Sequence, residues 1–164
     1  VTAARENTEG RASATLFVDA DASPVTSAAI SIARAHGLPV VLVSNASQNL
    51  GRHAARPGVE AVQVGSGRDA ADFAIITRLQ PGDVVVTGDL GLAAMALGRG
   101  ARVLGFRGRE HTADTIDMEM ALRHAEQKHR RAGGRTRGPD PLTDEHRENF
   151  AAALERLLSS HPQR

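Results

Sequence analysis

Apolar and polar positions follow one another in blocks along this chain, strand-sized runs alternating with helix-spaced ones. Ala14–Val18 is an apolar run that ends at Asp19. From Pro24 to Ala35, residues Val25, Ala28, Ala29 and Ile32 recur on one helical face; Pro24 suits a first turn and Gly37 a stop. Pro39–Val43 is a second run, followed by Ser44 and Asn45 and by a polar loop through Gln48, His53 and Arg56. Val59–Val64 predicts a third strand. The Gly65-Ser66-Gly67 turn then leads to a helix from Asp69 to Leu79, ended by Pro81-Gly82. Asp83–Thr87 predicts a fourth strand closing at Gly88-Asp89, Leu90–Leu97 a short helix, and Arg102–Phe106 a fifth strand. Beyond it lie a charged helix over Thr115–Ala132, a loop over Arg135–Pro141, and a helix over Thr143–Ser159 with Phe150, Leu154, Leu157 and Leu158 on one face.

Strands alternating with helices predict an α/β domain with a parallel sheet covered on both faces. The continuously apolar strands agree, since both of their faces are to be buried. At 164 residues the chain suits one domain, expected over residues 14–160. Residues 1–13 read as a disordered polar leader, without the apolar stretch of a signal peptide.

Composition narrows the chemistry. Hydrophobic residues are 41% of the chain, enough for a core. The absence of Cys excludes disulfides, thiolate metal sites and a Cys nucleophile, and fits a cytoplasmic protein. There is no Trp or Tyr and there are only four Phe, so aromatic platforms for bases are scarce. No apolar run approaches the roughly 20 residues of a membrane span. Net charge is only +1, but it is unevenly spread. Residues 123–137 hold Arg123, Lys128, Arg130, Arg131, Arg135 and Arg137 against one acid, Glu126. A stretch of this kind either forms a solvated helix face or follows phosphates.

The aspartates are the candidate chemistry. Asp19 and Asp21 follow the first strand and Asp89 closes the fourth, while Asp69 and Asp72 share a face at the start of a helix. In a parallel sheet all carboxyl ends lie on one edge, and ligands bind where the strand order reverses. If strands one and four are neighbours, these acids converge. Crowded carboxylates repel one another unless a cation intervenes, and hard oxygen donors match magnesium or manganese. Each acid taken singly is also an ordinary helix cap or turn residue. Asp83 starts its strand and belongs to the opposite edge, whereas Asp114, Asp117 and Asp140 suit caps or solvent. Ser23, Asn45 and Thr87 are candidate substrate contacts near the cluster, each with a plain structural alternative.

Four segments carry a family resemblance: Phe17-Val18-Asp19-Ala20-Asp21-Ala22-Ser23-Pro24-Val25, Gly67-Arg68-Asp69-Ala70-Ala71-Asp72, Pro81-Gly82-Asp83-Val84-Val85-Val86-Thr87-Gly88-Asp89, and Arg107-Gly108 followed by Thr112. In this order they resemble the YaiI/YqxD family, small bacterial proteins of uncharacterised function with a PIN-like fold. The resemblance runs from about Thr15 to Leu158. It implies a three-layer sandwich with strand order 3-2-1-4-5, helices on both faces and extra C-terminal helices. PIN domains are metal-dependent ribonucleases, so it implies Asp19, Asp21, Asp69, Asp72 and Asp89 as catalytic acids. Asp19, Asp21, Asp72 and Asp89 would hold Mg2+ or Mn2+. Apart from the resemblance, Arg107 and, from the Arg-rich stretch, Arg130 and Arg131 are expected to join Ser23, Asn45 and Thr87 in binding substrate, RNA before DNA. The chain departs from the family pattern at Ser23, usually Cys, at Leu90-Gly91-Leu92-Ala93, and at His111-Thr112 and Thr115-Ile116.

Two other functions fit parts of the pattern. A non-catalytic RNA-binding module would use only the Arg-rich stretch. A haloacid-dehalogenase-type phosphatase would use Asp19-Ala20-Asp21 and Ser44, but it also needs a Lys before the last acidic motif, and Lys128 lies beyond Asp89.

Overall fold

A computed structural model describes residues 14–21, 23–45, 50–67, 69–135 and 141–160. The expected leader, Gln48, Arg68, Arg137 and Asp140 lie outside the described residues. The elements in chain order are β1 (Leu16–Asp19), α1 (Thr26–Ala35), β2 (Val40–Asn45), α2 (Gly51–Ala54), β3 (Val59–Val64), α3 (Ala70–Arg78), β4 (Val84–Val86), α4 (Leu90–Gly98), β5 (Arg102–Leu104), β6 (Glu110–His111), α5 (Ala113–Arg131) and α6 (Asp144–Ser159). They form one sheet in the order β3-β2-β1-β4-β5-β6. The first five strands are mutually parallel, and β6 returns antiparallel to β5.

The predicted order 3-2-1-4-5 is present, and one strand is added. β6 has two residues and no apolar run, so the sequence pattern could not reveal it; its pairing of His111 with Val103 and Glu110 with Leu104 defines it. The expected polar loop after β2 also contains a helical turn, α2, beyond which Arg56 donates a hydrogen bond to Ser31 Oγ at 3.0 Å. Other element ends move by only one or two residues, as fraying ends do.

Alternation along the central strands divides the core in two. Leu16, Val18, Val40, Leu42, Val84, Val86 and Leu104 face α1 and α6. Phe17, Val41, Val43, Val85 and Val103 face α3, α4 and the start of α5. This is the helix–sheet–helix sandwich that the apolar strands require. Phe150, Leu154, Leu157 and Leu158 are buried on the first face, which fastens α6 to the sheet. Burial of each is worth about 1.5–3 kcal/mol. A reciprocal cap between Thr143 and His146 starts that helix. Arg102 clamps its far end, donating to Leu157 O and Ser160 Oγ while pairing with Glu110.

α5 is different. Of its 19 residues only Ile116 is buried, and from Met120 to Arg131 every position is exposed. The helix leans on α4 through its first half and carries its cations into solvent. At the other margin of the sheet, β3 pairs with β2 alone among the described residues. No helix among the described residues is long and apolar enough to cross a membrane.

Candidate acidic site

The carboxyl ends of β1 and β4 lie side by side, because Val18 pairs with Val86 in parallel register. Strand order turns at this point, with β1 leading towards β2 on one side and β4 towards β5 on the other. The chain leaves β1 through Asp19, Ala20 and Asp21, and leaves β4 through Thr87, Gly88 and Asp89. The five acids expected to meet here are therefore supplied by the ends of β1 and β4 and by the start of α3.

Each acid is held differently. Asp19 is mostly buried, and its Oδ2 accepts a hydrogen bond from Thr87 Oγ1 at 3.0 Å. The same hydroxyl accepts from the backbone N–H of Asp89 at 3.0 Å, so Thr87 links the ends of β1 and β4. Asp21 Oδ1 accepts from Ser44 Oγ at 3.0 Å and from the Asn45 backbone N–H at 3.1 Å, which ties the loop after β1 to the end of β2. Asp89 is the N-cap of α4, its Oδ1 accepting from Leu92 N–H at 3.1 Å. The ordinary role of a post-strand Asp is thus filled here together with membership of the cluster. Asp69 occupies the N-cap position of α3 and Asp72 its first turn.

Their charges are coupled. Burial pushes the Asp19 carboxyl up to about 6; the Thr87 hydrogen bond opposes the rise, and Asp21 and Asp72 add to it. Burial also raises Asp72, with further contributions from Asp89, Asp69 and Asp21. Asp19 and Asp72 therefore each feel other acids of the predicted set. Among the described residues, however, no three carboxylate or imidazole groups are gathered into a cage able to hold one metal ion. The acids share a field without forming a closed coordination shell.

The other expected residues are more scattered. Ser23 Oγ accepts from Val25 N–H at 3.4 Å at the entry to α1, a local role. Asn45 reaches the cluster through its backbone. Arg107 is half-buried in the turn after β5, and Arg131 is exposed at the end of α5. Arg130 lines a hollow between α5 and β6 to which none of the five acids contributes. Asp83 lies on the far edge, as expected, buried and accepting from Thr15 N–H and Gln80 N–H, both at 2.9 Å. Two supports were not anticipated. Ser44 is fully buried beneath Asp21, and its only signal in the sequence is a polar residue ending an apolar run. The Phe106 ring lies so close over Gly88 that a Cβ there would come within 2.6 Å of it, which accounts for a glycine beside Asp89.

Residues 17–160 match the family model described as "Uncharacterized BCR, YaiI/YqxD family". The chain belongs to the YaiI/YqxD family. Among its relatives, a UPF0178 protein of Exiguobacterium sibiricum is 40% identical over 144 residues, covering 88% of this chain and 96% of that protein. UPF0178 proteins of Bacillus anthracis strain CDC 684 and Bacillus cereus strain AH187 are each 39% identical over 145 residues, covering 88% of this chain and 98% of theirs. No solved structure matches the chain at a significant level. The names of these YaiI/YqxD relatives state no activity.

Proposed function

We propose that the protein is a divalent-metal-dependent phosphodiesterase acting on nucleic acid, RNA before DNA. The observation that carries this reading is the mostly buried Asp19 carboxyl at a strand-order switch, raised further by Asp21 and by Asp72 of α3, which in turn feels Asp89. Such a group is costly to ionise alone, and a nearby cation relieves that cost. The donors are hard oxygens, which suit Mg2+ or Mn2+. Magnesium commonly uses one or two carboxylates and completes its shell with water and substrate phosphate. An open arrangement without a three-ligand cage is therefore a reasonable fit.

In this reading Asp19, Asp72 and Asp89 would share the ion, no more than two of them binding it directly and the third acting through water, and when bound it would supply Lewis acidity towards a phosphoryl oxygen. Asp21 and Asp69 would hold a second ion or orient the attacking water. Thr87 fixes the rotamer of Asp19, and Ser44 with the Asn45 N–H fixes that of Asp21. The phosphatase alternative is less well served, because Ser44 is buried and its hydroxyl is directed to Asp21 rather than open to a phosphate.

Calorimetric titration with Mn2+ tests the proposal directly. The wild type is expected to bind, and Asp19→Asn to bind at least about tenfold more weakly, since one charged ligand is lost. Cleavage of an RNA oligonucleotide should require the metal and be abolished in Asp19→Asn. Equal Mn2+ affinity in the two proteins would refute the assignment of the site. RNA binding by the wild type without any metal-dependent cleavage would leave the protein a binding module.

A further inference from the structure

Three of the five large apolar side chains exposed among the described residues belong to α5: Met118 at 78%, Leu122 at 62% and Met120 at 39%. Met120, with Arg123 and Gln127, lines a hollow against the start of α4. Met118 and Leu122, two positions to either side, fall on the opposite face of the helix. Ala125 and His129 continue their row at helical spacing. No described element covers this row, and the twelve positions from Met120 to Arg131 are all exposed. A stretch of that length is marginal as a helix in water unless one of its faces is packed.

The charges beside the row are arranged against the helix's own interest. Asp114, Asp117, Lys128 and Arg131 share one flank of it, the acids near the start of α5 and the cations near its end. Asp114 and Asp117 are three positions apart, as are Lys128 and Arg131. Like charges at that spacing repel each other. Among the described residues, none of the four takes part in an ion pair within the chain. On the inner side, by contrast, Glu119 is paired with Arg109, and Glu126 has Arg123 three positions before it and Arg130 four after. The helix dipole favours acids first and cations last, but it is indifferent to which face carries them.

We infer that the outer face of α5 is a dimer interface, filled by the same helix of a second copy of this chain running antiparallel. Leu122 is the middle residue of the 19 in α5. A two-fold axis beside it lets the two helices overlap over their whole length, roughly 28 Å. That axis sets Leu122 against its own copy and Met118 against Ala125 of the partner subunit. It also sets Asp114 and Asp117 opposite the partner's Lys128 and the partner's Arg131, so each repelling pair meets its opposite. A parallel pair would instead place like charges side by side. Alanines at positions 121 and 125 let the two backbones approach closely. One helix pair is a small interface, which puts the dissociation constant on the order of micromolar. Being self-complementary, it closes at two copies. The inference does not depend on the chemistry of the acidic site.

The test is sedimentation velocity of the full chain in EDTA, from about 2 to about 200 µM. The wild type should pass from monomer to twice that mass across this range, less readily at high salt. L122E should weaken association at least about tenfold, since the two-fold axis sets two acids against each other in an apolar contact. F73E puts the same charge on another exposed apolar residue, on α3, and should stay within about twofold of wild type. D117K and K128D should each weaken association at least about threefold. Mixed in equal amounts they should recover it, because the reversed charges then face each other across the heterodimer. All four positions are exposed, so the fold should survive each change. Amide exchange over residues 120–131 should slow as the wild-type concentration rises and stay fast in L122E. A wild type that remains monomeric throughout, L122E associating as the wild type does, an equal loss in F73E, or D117K and K128D failing to recover on mixing would each overturn the inference.

Discussion

Asp19 sets a pH signature. Its carboxyl takes up a proton at about pH 6 in the folded chain and near 3.8 when unfolded. Between these values the folded state holds a proton that the unfolded state has lost, so this group's contribution to stability falls as pH rises and levels off above pH 6. Asp72 shifts in the same direction. In Asp19→Asn the amide keeps an oxygen to accept the Thr87 hydroxyl and carries no charge. Without metal, the variant should gain on wild type by about 2 kcal/mol between pH 4.5 and pH 7, measured by urea unfolding at both. An identical pH dependence in the two proteins would show that Asp19 ionises freely. At this scale the sequence was largely readable: five acids stood out because each followed a strand or opened a helix. Ser44 and Thr87 were harder to rank, since a hydroxyl beneath a carboxylate has the same local pattern as one that merely ends a strand.

Among the elements, the turn from Gly105 to Arg109 decides how β5 meets β6 and how both meet α6. Its backbone closes with Gly108 N–H donating to Gly105 O and Gly105 N–H to Arg109 O. Gly108 has φ +91°, and a Cβ there would stand 2.6 Å from the Asn149 carbonyl of α6. Gly108→Ala meets both a left-handed backbone and a rigid helix, and should cost about 2–4 kcal/mol in chemical denaturation. A cost below about 0.5 kcal/mol would mean that the turn is not seated on α6. The helices and the five parallel strands were legible because each has its own apolar period. β6 was not, since its two residues gain order only from β5 and from the His111–Glu119 contact, and partners distant in sequence leave no local period. The small helical turn α2 was hidden for a similar reason among polar residues.

For the molecule as a whole, five carboxylates are placed at the strand ends and at the start of α3, away from the four cations on the last half of α5. A ligand that binds only the folded acids must stabilise the entire domain by mass action. Manganese at a hundred times its dissociation constant should therefore add about 2.7 kcal/mol to the wild type and raise its melting temperature, and should add no more than about 1.4 kcal/mol to Asp19→Asn if that variant binds tenfold more weakly. A shift of equal size in both would place the ion elsewhere. The sandwich and its strand order could be anticipated, because alternating buried strands and helices admit few topologies. The hollow between α5 and β6 could not, since it exists only where α4, α5 and β6 come together.

The margin of the sheet at β3 has one more implication. β6, at the opposite margin, is too short to recruit a strand, whereas the six residues of β3 offer a row of backbone donors and acceptors with one partner strand among the described residues. Two copies that met through this row would each use up the longer of the two sheet margins found among the described residues. Association by that route would stop at a closed pair, and crowding would yield a twofold particle rather than a growing fibre.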